Sequence, residues 1–241
     1  PRGDAAFDRR EASVSKRVRF VVLALLVGAF ASGCARTPGG VGVSRRLVDM
    51  RMTMRGPLDP NAYYLFVIDT NNRAADGPRV LAPLTPFLGN GRATGSYTHY
   101  VEYHQGRFEL FRDQPEQQGV TPPPREALGR PFSVAADEPS GTLSLTLDLN
   151  QIKPAGGPAP GQLEVNFITV NRIVLPGETP PEPRQSDGLG LDGNQFLVLR
   201  LQNGLQVTND GLEVTGEVFG GRTLDEAYDL ADFFVAVRDG T

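Results

Sequence analysis

The chain has one cysteine, no tryptophan, two histidines and, from residue 34 onward, one lysine, Lys153, against seventeen arginines. A single cysteine excludes an intrachain disulfide, so stability has to come from a packed core. Without tryptophan, aromatic burial falls to 13 Phe and 6 Tyr, and tyrosine is left as the amphipathic ring for stacking against a sugar. Basic patches are scarce as well. From residue 34 onward there are 18 basic and 25 acidic residues, a formal charge of −7. That balance argues against a nucleic-acid partner and against electrostatic adhesion to anionic lipid. The apolar run at residues 20–30 is eleven residues long. It rises about 16 Å as a helix, against a hydrocarbon core of about 30 Å, which is too short for a permanent membrane span. Catalytic signatures are missing too. There is no Gly-x-Ser-x-Gly elbow, no phosphate-cradling Gly-Lys-Ser/Thr, and the stretch Thr94-Gly95-Ser96-Tyr97-Thr98 is not a nucleophile turn. These absences weigh against an enzyme without deciding the matter.

What is present begins with the short apolar run. It follows Lys16, Arg17 and Arg19 and leads into Ala31-Ser32-Gly33-Cys34. Positive charge before an apolar stretch keeps the leading end in the cytoplasm. The segment resembles the lipobox of bacterial lipoproteins, Leu-(Ala/Ser)-(Gly/Ala)-Cys. Ser32, Gly33 and Cys34 match, while Ala31 stands in place of the preferred Leu. The resemblance implies cleavage after Gly33, a diacylglyceryl thioether on Cys34 and an extracytoplasmic, lipid-anchored product. Two or three acyl chains suffice for stable attachment where one is marginal. Ala35 replaces the Asp that marks inner-membrane retention in some two-membrane bacteria, so the expected address is the outer membrane where the organism has one. Residues 1–15 are polar and begin with Pro1. They are expected to be an over-extended start, with Val14 as the initiator, because the arginine bias suits a GC-rich genome that uses GTG starts. The expected organisation is a signal peptide over residues 1–33, a lipidated Gly-rich tether over 34–44 and one domain over 45–241.

Within that domain the periodicity is two. Val48, Met50, Met52 and Met54 interleave with Asp49, Arg51, Thr53 and Arg55, which predicts a half-buried strand and assigns all three methionines of the chain to the core. Leu143, Leu145, Leu147 and Leu149 repeat the pattern. Residues 62–69 are apolar on both sides, as in a central strand covered on both faces. Residues 96–103 and 107–112 flank His104-Gln105-Gly106 as a hairpin. Strands are expected at 162–174, 195–201, 205–208, 212–219 and 232–238, with loops at 114–131 and 176–193. Thr223 and Glu226 have capping-box spacing, which predicts a short helix through Leu230. The fold class that follows is all-β, an antiparallel β-sandwich or jelly roll of about nine or ten strands with one short C-terminal helix.

Three constellations carry candidate chemistry. Asp69, Asn71 and Asp76 lie in one tight loop and offer oxygen ligands suited to Ca²⁺, although the same residue types also build plain turns. The run from Tyr63 through Asn72, followed by Asp76-Gly77-Pro78, is loosely similar to the strand and Asp-rich turn of carbohydrate-binding and DOMON-like sandwich domains of bacterial envelope proteins. That resemblance implies ligand binding and transfers no individual residue. Asp187-Gly188-Leu189-Gly190-Leu191-Asp192 has the Gly-x-Gly-x-Asp spacing of calcium β-rolls, but in a single copy, which favours a flexible turn. On the hairpin, Tyr100, Glu102 and His104 share one face as a candidate ligand rim. His99 falls on the opposite face from His104, so the two imidazoles do not chelate together. The function expected is a membrane-anchored extracytoplasmic lipoprotein with a non-catalytic domain that binds a ligand, a carbohydrate first of all. The alternatives are a structural or assembly lipoprotein with protein partners only, and a glycoside-type hydrolase built on scattered carboxylates.

Overall fold

Alternation decides β1 (Arg45–Met54). Val48, Met50, Met52 and Met54 are buried, and Arg51 between them is exposed. The computed structural model describes residues 45–71, 76–81, 91–113, 125–154, 157–173, 184–219 and 222–240, all within one compact unit spanning Ser44–Thr241. After β1 come β2 (Tyr63–Asp69), β3 (Pro78–Arg79), β4 (Thr94–Gly95), β5 (His99–His104), β6 (Arg107–Asp113), β7 (Arg125–Gly129) and β8 (Ser133–Asp137). Then follow β9 (Thr142–Asp148), β10 (Gln162–Val170), β11 (Ser186–Asp187), β12 (Leu197–Arg200), β13 (Gln206–Thr208), β14 (Val218–Phe219), β15 (Arg222–Thr223) and β16 (Leu230–Gly240). All recorded strand pairs are antiparallel.

Two sheets hold the core. One runs β13-β16-β1-β9-β8, and the other runs β11-β10-β2-β5-β6-β7 with β12 also on β10. In the first, Met50 lies between Val235 and Leu145, and Met52 between Phe233 and Leu143. These side chains join Tyr64, Phe66, Val101 and Phe167 of the second sheet in one hydrophobic cluster. Phe167 stacks on Phe233 at 5.5 Å, which carries the contact from sheet to sheet. In β2 the two faces divide. Tyr64, Phe66 and Ile68 join that shared cluster, whereas Leu65 and Val67 pack into a second one with Tyr100, Phe111 and Ile168. The run is apolar on both sides because both sides are covered.

The β5–β6 hairpin closes on Gln105 and Gly106, both with positive φ, +50° and +75°. A two-residue turn of this kind matches the twist of the flanking strands. No helix among the described residues is long and apolar enough to cross a membrane.

Three expectations are corrected. The described residues form sixteen strands rather than nine or ten, because seven of them have four residues or fewer and show no readable period. The short C-terminal helix is absent. Tyr228 and Asp229 close a single turn on the Asp225 carbonyl, Glu226 turns to Arg55, and β16 starts at Leu230, opposite Met54. The capping box sits instead at Asp148 and Gln151, on a 3-10 turn at Leu149–Gln151. The stretch 114–131, expected as a loop, contains β7, and β8 follows it.

Candidate functional site

The outer edge of β10 is shared. It pairs with β12 over Gln162–Val165 and with β11 at Thr169 and Val170. In the gap, Asn166 donates to the carbonyls of Pro78 (2.9 Å) and Gln195 (2.8 Å) and accepts from the Leu189 amide (3.0 Å). The chain therefore turns inward at residues 187–190, all buried. Gly188 has no room for a side chain, since a Cβ there would meet Val80 Cγ2 at 2.4 Å. Two other segments close on this turn. Residues 209–217 are held by Asn209, whose side-chain Oδ1 accepts from the Glu213 amide (2.9 Å) and whose side-chain Nδ2 donates to the carbonyls of Glu213 and Ala231. Asp229 comes from the residue before β16.

The result is a nest of acids. Asp187, Glu213 and Glu217 each bring a carboxylate oxygen within 4.8 Å of the others. Backbone amides orient them. Gly188 and Leu230 donate to Asp187 (2.8 and 2.7 Å), Gly190 and Val214 to Glu213 (3.1 and 3.2 Å), and Gly216 to Asp229 (2.9 Å). Arg55 reaches Asp229 at 3.2 Å. Burial is the main cause of the upward pKa shifts, followed by the charge of neighbouring acids. Glu213 rises to about 8 through burial and Asp187. Asp187 and Glu217 both rise, mainly by burial; the contact between their side chains holds Asp187 down and pushes Glu217 further up. Asp229 rises too, by burial, against the opposing pull of Gly216 and Arg55. Glu217 Oε1 and Asp229 Oδ1 are sealed from solvent and accept no hydrogen bond.

Sequence reasoning singled out Asp187 but missed Glu213 and Glu217. Residues 212–219 read only as a strand, and the usual preference would turn its valines inward and its acids outward. The structure inverts this: Glu213 and Glu217 are 5% and 6% exposed, Val214 and Val218 51% and 66%. The only signal was the Gly spacing of Asp210-Gly211-Leu212-Glu213 and Gly216-Glu217.

The other expected residues are placed as follows. Asp69 is buried; its carboxylate accepts from the Asn71 amide (3.1 Å) and the Ser96 hydroxyl (2.7 Å). Asn71 and Asp76 are exposed, and the Asp76 carbonyl takes the Ser96 amide. This is turn capping. Opposite Asp69 in the ladder lies Glu164, buried, its pKa raised by burial and by the Asp69 charge. Tyr100, Glu102 and His104 share one face of β5, engaged with internal partners. Tyr100 stacks on Phe111 at 5.2 Å. Glu102 is clasped by Arg92 and by Arg125. His104 stacks on Tyr63 at 4.0 Å and donates from Nδ1 to the Ala62 carbonyl. Cys34, Gly33 and the signal segment lie outside the described residues.

A groove of about 350 Å³ opens on the outer face of the five-stranded sheet, lined by Asp49, Arg51, Ser133, Ser144, Thr146 and Phe234, among others. Asp49 accepts from Thr146 Oγ1 and Arg238 Nε, both at 2.6 Å. Burial pushes its pKa up, and those bonds bring it below the usual value. Arg51 sits over the Phe234 ring at 5.6 Å. Hydroxyls, a fixed carboxylate and one aromatic ring offer what a polyhydroxylated ligand needs. No protein-family model, no curated protein and no solved structure matches this chain.

Proposed function

We propose that the chain is a lipid-anchored extracytoplasmic lipoprotein of a bacterial envelope, on the outer membrane where one exists, and that its domain binds a carbohydrate without transforming it. We read the two sheets as the layers of a β-sandwich, supported by their shared core and the Phe167–Phe233 stack. The observation that carries the anchoring is the position of the only cysteine, directly behind the basic and apolar segment. Within the domain, the groove around Asp49 and Phe234 is the surface that supports the ligand reading.

Both halves are testable. Mass spectrometry of the membrane-extracted protein should find a diacylglyceryl group on an N-terminal Cys34, and Cys34→Ala should release the protein from membranes. A precursor that stays uncut and unmodified rejects the anchor. Glycan-array screening of the full chain in detergent should return binding that Phe234→Ala weakens about tenfold, the size expected for one lost ring contact. Silence across the array rejects the carbohydrate reading.

A second reading has its own observation. Leu191, Val214 and Val218, 68%, 51% and 66% exposed, lie on the segments that supply the acidic nest, which suits a protein partner. In-membrane crosslinking that yields one dominant protein, with no bound glycan, favours it.

A further inference from the structure

We propose that Asp187, Glu213, Glu217 and Asp229 form a calcium site at the β11 edge. The proposal goes beyond carbohydrate binding and stands or falls independently of it. Three carboxylates converge within 4.8 Å. A fourth, Asp229, is fully buried, and its carboxylate is held by the amide of Gly216, the residue before Glu217 (2.9 Å). Arg55 reaches Asp229 at 3.2 Å and also Glu226 at 3.6 Å.

Two observations separate this nest from an ordinary acidic cluster. The first is the pair of orphaned oxygens. Glu217 Oε1 and Asp229 Oδ1 are enclosed, belong to residues 6% and 0% exposed, and accept nothing. Buried polar atoms are nearly always satisfied, so an orphan asks for a partner. The second is the inversion at residues 213–218, where two glutamates go in and two valines go out. A segment that only had to close the fold would be expected to do the opposite.

The donor set selects the ion. All the ligand atoms are carboxylate oxygens, with no sulfur or imidazole, which excludes the usual zinc and copper preferences. Calcium accepts six to eight oxygens in flexible geometry, whereas magnesium holds its waters and demands an octahedron. The amides of Gly188, Leu230, Gly190, Val214 and Gly216 each occupy one lone pair and leave the other for the ion.

The test uses the full chain in detergent, stripped with EDTA and then titrated with CaCl₂ or MgCl₂ while melting is followed. Calcium should bind one to one with a Kd of about 0.1–1 mM, the range of extracellular modules. At about 5 mM calcium the Tm should rise by about 2–9 °C. Glu217→Gln keeps the shape and removes one charge; it should fold, melt at or above the stripped wild type and lose the calcium response. Asp69→Ala should keep that response. The proposal is overturned by a folded wild type that shows no shift at about 5 mM calcium, by an equal response to magnesium, or by a response that Asp69→Ala removes and Glu217→Gln leaves intact.

Discussion

His99 is buried on β5, with Nδ1 against the Thr98 hydroxyl and Arg112 opposite it in the ladder. Burial, aided by the Arg112 charge, depresses its pKa to about 4 from 6.5. The fold therefore favours the neutral ring. The stabilisation is complete above pH 6.5 and is lost as pH falls from there towards 4, amounting to about 3 kcal/mol. Urea unfolding between pH 7 and 4 should show this loss, and His99→Gln should flatten it. An equally steep profile in the variant would assign the acid sensitivity elsewhere. The same scale explains why the acidic nest escaped sequence reasoning. Burying a valine is worth about 1.5–3 kcal/mol, so nothing in the sequence of 212–219 suggests that its glutamates rather than its valines face inward. What turns the glutamates inward is tertiary: Asp187, Gly190 and Asp229 come from distant parts of the chain and meet Glu213 and Glu217 only in the fold.

Among elements, strands with a strong period were legible and short ones were not. β1 and β9 follow their alternation, and β2 is a two-faced central strand. β7 and β8 were not foreseen, because both expose most of their residues and so carry no apolar stripe. The helix expected after Thr223 fails for a local reason, since the Leu230 amide is taken by Asp187 and the chain passes straight into β16. The β5–β6 turn yields a prediction of its own. Gln105 is the only non-glycine residue with positive φ among the described residues, a conformation that costs an ordinary side chain roughly 1–2 kcal/mol. Asparagine tolerates it and is favoured in such turns. Gln105→Asn should therefore raise stability by about 0.5–1 kcal/mol in denaturant unfolding. A loss of stability would show that Gln105 makes contacts the turn depends on.

At the scale of the whole molecule, the sequence announced a single all-β domain with a methionine-lined core but gave no sign of how its edges meet. The acidic nest occupies one such meeting. Asp187 belongs to the seven-stranded sheet, and the Leu230 amide it holds opens the last strand of the five-stranded one. The groove, by contrast, lies on the outer face of the five-stranded sheet alone. Its Asp49 and Arg51 were visible in the sequence only as the outward half of an alternating strand. Phe234 was hidden because it neighbours Phe233, which faces the core.

The position of β1 in its sheet has a mechanical consequence. The chain enters the described domain at Arg45, and β1 lies not at an edge but between β16, along ten paired positions, and β9, along seven. A pull on the chain ahead of Arg45 therefore loads two ladders together. An edge strand would be peeled away one bond at a time, whereas this one has to break from both neighbours before any part of it leaves. A domain tied to a surface by its leading end is in this way fastened through its best-anchored strand.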